Sequence, residues 1–577
     1  MYSDNPLVRE VAARLAAHGI RRAVVCAGSR NAPLAHTMAS CPDLDCLPAV
    51  DERSAAFEAL GMAEALREPV ALCVTSGSAL LDAAPAVAEA YYQEVPLVVI
   101  SADRPSAWID QRDGQTMRQP GALDNCIRCA VSLPENGDMW HAGRLLSQAL
   151  LLCRGPVPGP VHINVPLSEP LFSATVESLP EPRVISEERA CGFTLSEAAR
   201  EALGRFSRIL VVAGQMPPDA ATQAALAALA ARGCAISAEH LANLPRTLSD
   251  PESGGGAHSV ITLTDLILAT SENDELAALA PDLVITVGGH IVCKRLKLFL
   301  RGLSGIEHWH VGAEDGSVPD LFQHLTRILR AGSAGVLAAV AAALPRRSAG
   351  DYAFARAWLA AQERLGALMA GPLPAKAAGY CDLSAMGTVL AGLPENCCLH
   401  LANSSPVRNA QYFPLPAGTR VFCNRGVNGI DGSLSAACGN ARALPDRPVF
   451  CLIGDLSFFY DSNALWRESL PANLRVAVFN NGGGNIFRTL PGLDSPHRDR
   501  FIAGSNSFSA EARAREAGLD YLAVRDGAAL EAAVRNLARA ERPALLEIFT
   551  DAGTSAAAAK ALVRELRETL SRDGRPC

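Results

Sequence analysis

Short apolar runs alternate with amphipathic stretches along the whole chain. RRAVVCA (21–27) reads as a strand, and the turn Gly28-Ser29-Arg30 leads into PLAHTMAS, a helix with Pro33 in its first turn, where a missing N–H costs nothing. CLPAV (46–50) predicts a second strand and DERSAAFEALGMAEAL a second helix; ALCVTSG (71–77) runs into a helix over 78–91, and VPLVVISAD (95–103) is a further strand. Strands alternating with helices predict a parallel, doubly wound sheet. The rhythm returns in RILVVAG (208–214), a helix over 219–232, CAISAE (234–239) and PDLVITVGG (281–289). It returns again in CCLHLANSS (397–405), RVFCNRG (420–426), RPVFCLIGD (447–455), LRVAVFNN (474–481) and RPALLEIF (542–549). The polar, Pro/Glu-containing stretch 173–192 predicts a linker, and 330–351 a second boundary. The expected fold class is therefore α/β, with three doubly wound parallel-sheet domains over 1–182, 190–345 and 350–577. No short repeat period and no low-complexity tract interrupts the pattern.

Composition narrows the class. Of 577 residues, 49% are hydrophobic and 19% charged, which excludes a disordered chain; much of the apolar share is alanine and signals helix. The balance of 52 Lys+Arg against 60 Asp+Glu gives −8, which disfavours a general nucleic-acid binder but leaves room for an anionic substrate where arginines cluster. Seventeen cysteines are scattered from Cys26 to Cys577 behind an amphipathic start that lacks an apolar signal core, so free thiols in a reducing cytoplasm are expected. Cys126-Ile-Arg-Cys129 has no second such pair to complete a four-ligand zinc site. The Ala-rich stretch 331–345 is shorter than the ~18 apolar residues of a membrane span.

The most informative pair lies in the last third. VFCLIGD ends in Asp455, and LRVAVF runs into Asn480-Asn481 and Gly482-Gly483-Gly484, with SFFYDSNALWRESL between them as a candidate crossover helix. One βαβ unit of this length places both polar residues at carboxyl ends of parallel strands, where ligands bind in open α/β sheets. A carboxylate oxygen from Asp455, an amide oxygen from Asn481 and a carbonyl from Gly483 are hard ligands that suit Mg²⁺, or Mn²⁺. The plainer alternative is that Asp455 caps a helix and NNGGG is a turn. Glu52 opens a helix, where the helix dipole alone favours an acid. Gly28-Ser29 and Gly77-Ser78 precede helices as turns able to hold anions, and Gly254-Gly255-Gly256 reads as a flexible loop.

Gly454-Asp455, followed after 24 residues by Asn480-Asn481, resembles the diphosphate–magnesium motif of thiamine diphosphate enzymes. The GDLS wording, with Leu456 where most of that superfamily has glycine, resembles their menaquinone-pathway branch, the 2-succinyl-5-enolpyruvyl-6-hydroxy-3-cyclohexene-1-carboxylate synthase family. Further blocks match in family order: AGSRNAPL (27–34), DERSAAFEALG (51–61), VTSGSA (74–79), SADRP (101–105), GQTMRQPG (114–121), GPVHINVP (159–166), CKRL (293–296), ANSSPVR (402–408), NRGVNGIDG (424–432) and NNGGGNIF (480–487). The resemblance implies an aminopyrimidine-binding first domain, a central domain and a diphosphate-binding last domain. It makes Glu52 the central catalytic residue, bonded to the aminopyrimidine ring and promoting its imino tautomer, and Ile430 the apolar wedge that bends the coenzyme. Asp455, Leu456, Ser457 and Asn481 hold the diphosphate and its metal, with Gly483 as the third metal ligand. The implied reaction decarboxylates 2-oxoglutarate and adds the succinyl-semialdehyde carbanion to isochorismate.

Both implied substrates are dicarboxylates, and arginine forks match carboxylates. Motif alignment puts Ser404, Arg408 and Arg425 on the 2-oxoglutarate side, and Ser29, Arg30, Arg104, Gln115, Lys294 and Arg295 on the isochorismate side. Isolated arginines are more often solvated surface charges, but Arg30 and Arg104 each follow a strand. The sequence departs from the family pattern at Ala27, Asn31 and Gly114; the last stands where a family asparagine contacts substrate, and Arg112 and Asp113 are the nearby compensating candidates. Family active sites lie between the first domain of one subunit and the last of another, so a homodimer or dimer of dimers is expected. Rival readings are an acetolactate-synthase-like decarboxylase, disfavoured by the basic set, and a catalytically dead coenzyme binder, disfavoured by Glu52, Asp455 and Asn481 together.

Overall fold

In a computed structural model the chain folds around three parallel sheets. The structure describes residues 1–189, 192–249, 256–345, 352–370, 379–488, 492–493 and 495–573. The first sheet contains β1 (Arg22–Cys26), β2 (Asp45–Ala49), β3 (Val70–Val74), β4 (Leu97–Asp103), β5 (Cys129–Ser132) and β6 (Val161–Pro166). The middle one contains β7 (Ile209–Ala213) and β8 (Ala235–Ala238), then, after a small antiparallel pair β9 (Thr247–Ser249) and β10 (Ala257–Ser259), β11 (Leu283–Val287), β12 (Glu307–Val311) and β13 (Leu325–Leu329). The last contains β14 (Cys398–Leu401), β15 (Arg420–Phe422), β16 (Val449–Gly454), β17 (Leu474–Asn480), β18 (Asp520–Val524) and β19 (Ala544–Phe549). Central strands such as β3 and β4 are buried along their whole length. Helices cover both faces, which is why these strands read as unbroken apolar runs.

The first sheet runs β2-β1-β3-β4-β6-β5 and the last β15-β14-β16-β17-β19-β18, the same order one module later. The middle sheet, β13-β12-β11-β7-β8, has the shorter doubly wound order. In the outer modules the chain lays its second strand on one side of the first and its third on the other. That reversal opens a crevice at the carboxyl edge between β1 and β3, and again between β14 and β16.

The outer modules meet through equivalent helices. Glu52–Leu66 follows β2, Ser433–Ala443 follows β15, and the two pack side by side. Glycine sets their separation: a Cβ on Gly61 would stand 2.1 Å from the Ala436 carbonyl oxygen, and one on Gly439 2.1 Å from that of Glu58. Asn440 Nδ2 donates to the Gly61 carbonyl at 2.8 Å, and Arg442 and Arg467 both donate to the buried Glu58 carboxylate, at 2.7 and 2.8 Å. A paired, hydrogen-bonded carboxylate can be buried where an isolated one could not.

Residues 173–189 form no helix or strand beyond an isolated bridge from Val176 to Tyr2, as a linker should. Two expectations are corrected. The stretch from 330 does not loosen at once: Ser333–Ala343 is a helix whose Val336, Leu337 and Val340 are buried in the middle core against Ala220–Ala230. The crossover after Asp455 is not one helix but Asp455–Tyr460 followed by a 3₁₀ turn, Ser462–Leu465. Asp461 stops it by turning inward, where its carboxylate accepts from the Ser435 N–H and Oγ, both at 2.7 Å. Gly254 and Gly255 lie outside the described residues.

Candidate active site

The last module builds a cavity of about 580 Å³ at its carboxyl edge. Four neighbouring strands supply its walls, in the order Arg425 after β15, Ser404 after β14, Asp455 after β16 and Asn481 after β17. Asp455 is the first residue of its helix and only 2% exposed. Its carboxylate accepts from the Leu456 N–H at 2.8 Å and from the Gly483 N–H. Burial nevertheless pushes its pKa up to about 6, the behaviour of a carboxylate still short of a counter-charge. Asn481 spends its amide N–H on Asp382 Oδ2 at 2.7 Å, and its Oδ1 is buried without a protein partner. Gly483 adopts φ +148°, open only to glycine, and its carbonyl accepts from the Asn485 N–H at 2.9 Å with a second lone pair to spare.

Above this cluster Ser457 Oγ donates to the Ile430 carbonyl at 2.5 Å, joining the DLS turn to the NGIDG loop. Ile430 is 40% exposed on the cavity wall, an uncommon position for an isoleucine in a loop held this firmly. In the same lining Arg408 donates to the Ser404 carbonyl at 2.6 Å and Arg425 to Asn403 Oδ1 at 2.9 Å, while the buried Arg425 Nε has no protein partner. Partial desolvation, then the Arg425 charge beside it, lower the pKa of Arg408. Two guanidinium groups sharing one wall repel each other and favour an anion between them.

A second group lies along the carboxyl edge of the first sheet. Glu52 follows β2, Ser29 and Arg30 follow β1, Ser78 follows β3 and Arg104 follows β4, on adjacent strands. Glu52 is half-buried at the start of a helix capped by Asp51, which accepts from the Ser54 N–H at 2.7 Å. Burial raises its pKa, and the Asp82 and Asp51 charges add to the rise. Arg30 is buried, donates to the Leu167 carbonyl at 3.0 Å and keeps an unpartnered Nε. Arg104 lies 3.6 Å from Asp113, and Gln115 sits at φ +54° in the same irregular loop. Asn31 donates to the Cys26 carbonyl at 2.7 Å and so holds the turn. None of Glu52, Ser29, Arg30, Arg104 or Gln115 lines the cavity of the last module.

Lys294 and Arg295 do open a helix, Lys294–Gly302, but neither lines that cavity. Arg295 is held at 2.5 Å by Asp265, which also accepts from Tyr412 at 3.0 Å. One turn on, Lys297 faces Arg425 and Glu239; burial lowers its pKa first, and Glu239 opposes that shift.

Two family profiles match this chain: the thiamine pyrophosphate enzyme N-terminal TPP-binding domain over residues 7–123, and the C-terminal TPP-binding domain over 404–548. The 2-succinyl-5-enolpyruvyl-6-hydroxy-3-cyclohexene-1-carboxylate synthase of Bacteroides fragilis is 42% identical, over 98% of this chain and all of that protein. Synthases of the same name from Bacteroides thetaiotaomicron, at 41% over 98% of the chain and all of the relative, and Desulfotalea psychrophila, at 37% over 86% and 89%, are also similar.

The chain belongs to the 2-succinyl-5-enolpyruvyl-6-hydroxy-3-cyclohexene-1-carboxylate synthase family.

As a member of this synthase family it is a thiamine diphosphate-dependent enzyme, and its two coenzyme-binding domains are the two modules of equal topology. The last module suits the coenzyme's diphosphate and a cation: the Asn481 Oδ1 lacks a partner, and the under-compensated Asp455 faces the same cavity. Cys126 and Cys129 are free thiols. The sequence reading missed Asp382, Asn403 and Glu89. Asn403 Nδ2 donates to the carbonyls of Asn424 and Gly429, at 2.5 and 2.8 Å, closing the loop that carries Arg425. Glu89, from the first module, accepts the Gly426 and Val427 N–H groups at 2.6 and 2.8 Å. The ANSSPVR block signalled Asn403; nothing local signalled Glu89, which lies 337 residues from its partner.

Proposed function

We propose that the chain is a magnesium-dependent carboligase of menaquinone biosynthesis that decarboxylates 2-oxoglutarate and joins the four-carbon remainder to isochorismate. The observation that carries this reading is that one cavity is lined by both the hard-oxygen cluster and Arg408 with Arg425. Asp455, Asn481 and the Gly483 carbonyl would hold Mg²⁺, which takes its remaining oxygens from diphosphate and water; Mn²⁺ has the same ligand taste. Thiamine diphosphate supplies the nucleophilic carbon and the electron sink that loss of CO₂ from a 2-oxoacid requires. Ile430, on the cavity wall, would serve as the apolar wedge against the bound coenzyme. Arg408 and Arg425, with Ser404, bind the distal carboxylate of 2-oxoglutarate, a group that pyruvate lacks. Glu52, its pKa raised by burial, holds its proton to higher pH than an exposed glutamate and would hydrogen-bond the coenzyme's aminopyrimidine ring.

Ser29, Arg30, Arg104 and Gln115 of the first module, with Lys294 and Arg295 of the middle one, would receive the second dicarboxylate. Because this group stands apart from the cavity of its own chain, we infer a homodimer, or a dimer of dimers, in which each copy's first module closes the other's last. Fifteen described cysteines are all free thiols and no described helix is long and apolar enough to cross a membrane; these features support a cytoplasmic location.

The test is Glu52→Gln. Turnover of 2-oxoglutarate with isochorismate should fall at least ~10²-fold, the usual scale for a lost acid–base group, while thiamine diphosphate still binds. Unchanged turnover rejects the role of Glu52. Preference for pyruvate over 2-oxoglutarate by the unmodified enzyme rejects the substrate assignment.

A further inference from the structure

Asp382 is the first residue of the helix Asp382–Ala391, 99 residues before Asn481, and belongs to none of the blocks that marked the site. It is 3% exposed, and its carboxylate collects hydrogen bonds from parts of the module far apart in sequence. Asn481 Nδ2 donates to Oδ2 at 2.7 Å, Thr550 Oγ1 donates to Oδ1 at 2.5 Å, and the Asn485 side chain also bonds to it. The Asp382 N–H is itself held by Ser555 Oγ at 3.0 Å. Asn481 and Asn485 flank Gly482-Gly483-Gly484, so one carboxylate grips both ends of the glycine loop.

The consequence is stereochemical. A carboxylate only accepts hydrogen bonds, so the Asn481 side chain must turn its NH₂ toward Asp382. The other half of the amide, Oδ1, is thereby fixed in direction and left buried without a protein partner. An asparagine free to rotate would offer either atom; this one offers oxygen alone. Asp382 is too fully engaged to act as a ligand. A helix-capping role would not need the bonds to Asn481, Asn485 and Thr550, since each of these lies outside its helix.

We propose that Asp382 is the positioning residue of the divalent-cation site: it locks the Asn481 amide with its oxygen toward the cation and holds the loop that presents the Gly483 carbonyl. The inference rests on the assignment of Asp455, Asn481 and Gly483 to Mg²⁺ made above. Outer partners of this kind commonly change metal affinity by ~10- to 100-fold.

The experiment titrates MgCl₂ into full-length protein at fixed thiamine diphosphate and follows coenzyme binding by quenching of tryptophan fluorescence. Urea midpoints of the coenzyme-free proteins serve as the folding control. Asp382→Asn, which has the same shape but lets the pair of amides choose either orientation, should raise the half-saturating Mg²⁺ by ~10- to 100-fold, and excess Mg²⁺ should restore binding. Thr550→Val, which keeps the charge and frees one carboxylate oxygen, should shift it less in the same direction; it decides the matter if Asp382→Asn does not fold. A wild-type Mg²⁺ midpoint in a folded Asp382→Asn, or in Thr550→Val if that must stand alone, overturns the proposal. Asp455→Ala separates the two levels. If it abolishes Mg²⁺-dependent coenzyme binding while Asp382→Asn does not shift the midpoint, the positioning role fails alone. If Asp455→Ala binds like wild type, the cation site itself is misassigned and the proposal falls with it.

Discussion

Replacing Gly61 by alanine tests how the two coenzyme modules are held together. The new methyl carbon would lie 2.1 Å from the Ala436 carbonyl oxygen, against an ordinary contact of 3.4 Å, a shortfall of about 1.3 Å. The obstacle is backbone, not a flexible side chain, so the helices Glu52–Leu66 and Ser433–Ala443 must separate. Overpacking of this kind costs ~1–3 kcal/mol, and stretching the Asn440–Gly61 hydrogen bond adds up to ~1 kcal/mol. Alanine's better helix propensity returns ~1 kcal/mol. The net expectation is a loss of ~1–3 kcal/mol. Gly439→Ala meets the same obstacle from the other helix, so the double variant should cost less than the two singles together, because one separation relieves both contacts. Gly366→Ala is the control. It lies within the helix Ala353–Ala370 with nothing within 4 Å of the added carbon, and should stabilise by up to ~1 kcal/mol. Urea unfolding monitored by tryptophan fluorescence measures all four variants. Activity per folded molecule should fall in the Gly61 variant as well, since Glu52 opens one helix and Ile430 lies three residues before the other. A Gly61→Ala protein as stable as wild type would refute the close-contact argument.

Acid should destabilise each module through its buried histidines. Burial holds His162, His308 and His400 down to about 4, from an ordinary 6.5. Between those values the unfolded chain takes up a proton that the folded chain refuses, so stability falls as pH drops through that window, by up to about 3 kcal/mol per histidine. Urea midpoints from pH 7 to 4.5 check this, and His162→Gln, which can keep the bond to Ser101 Oγ, should flatten the slope; an unchanged slope would contradict it. Arg425→Gln should raise KM for 2-oxoglutarate by ~10- to 100-fold, the worth of a charge-assisted hydrogen bond, with a smaller effect on KM for isochorismate; equal effects on both would remove Arg425 from the oxoacid end.

The sequence by itself determined the alternation of strand and helix, the class of fold and the family. Buried parallel strands must be apolar on both faces, so β1, β3, β4, β16, β17 and β19 announce themselves as runs. It also marked Asp455 and Asn481, because a polar residue ending such a run falls at the carboxyl edge of the sheet, where ligands bind in open α/β folds. It did not mark β5, β13 and β18, the strands at one edge of each sheet, whose half-exposed residues break the run, nor β12, and it showed β6 only as a matching block although that strand is buried throughout. Nor did it show that the crossover after Asp455 ends at Tyr460, since the inward turn of Asp461 depends on Ser435 in another segment. The tertiary structure alone decided which predicted residues share a cavity. It gathered Ser404, Arg408, Arg425, Ile430, Leu456 and Ser457 with Asp455, Asn481 and Gly483 and set Glu52, Arg30 and Arg104 along a different sheet edge. It also revealed Asp382 and Glu89. A carboxylate is soluble and unremarked in a sequence, and becomes a structural anchor only when folding removes its water and brings N–H donors to it from distant parts of the chain.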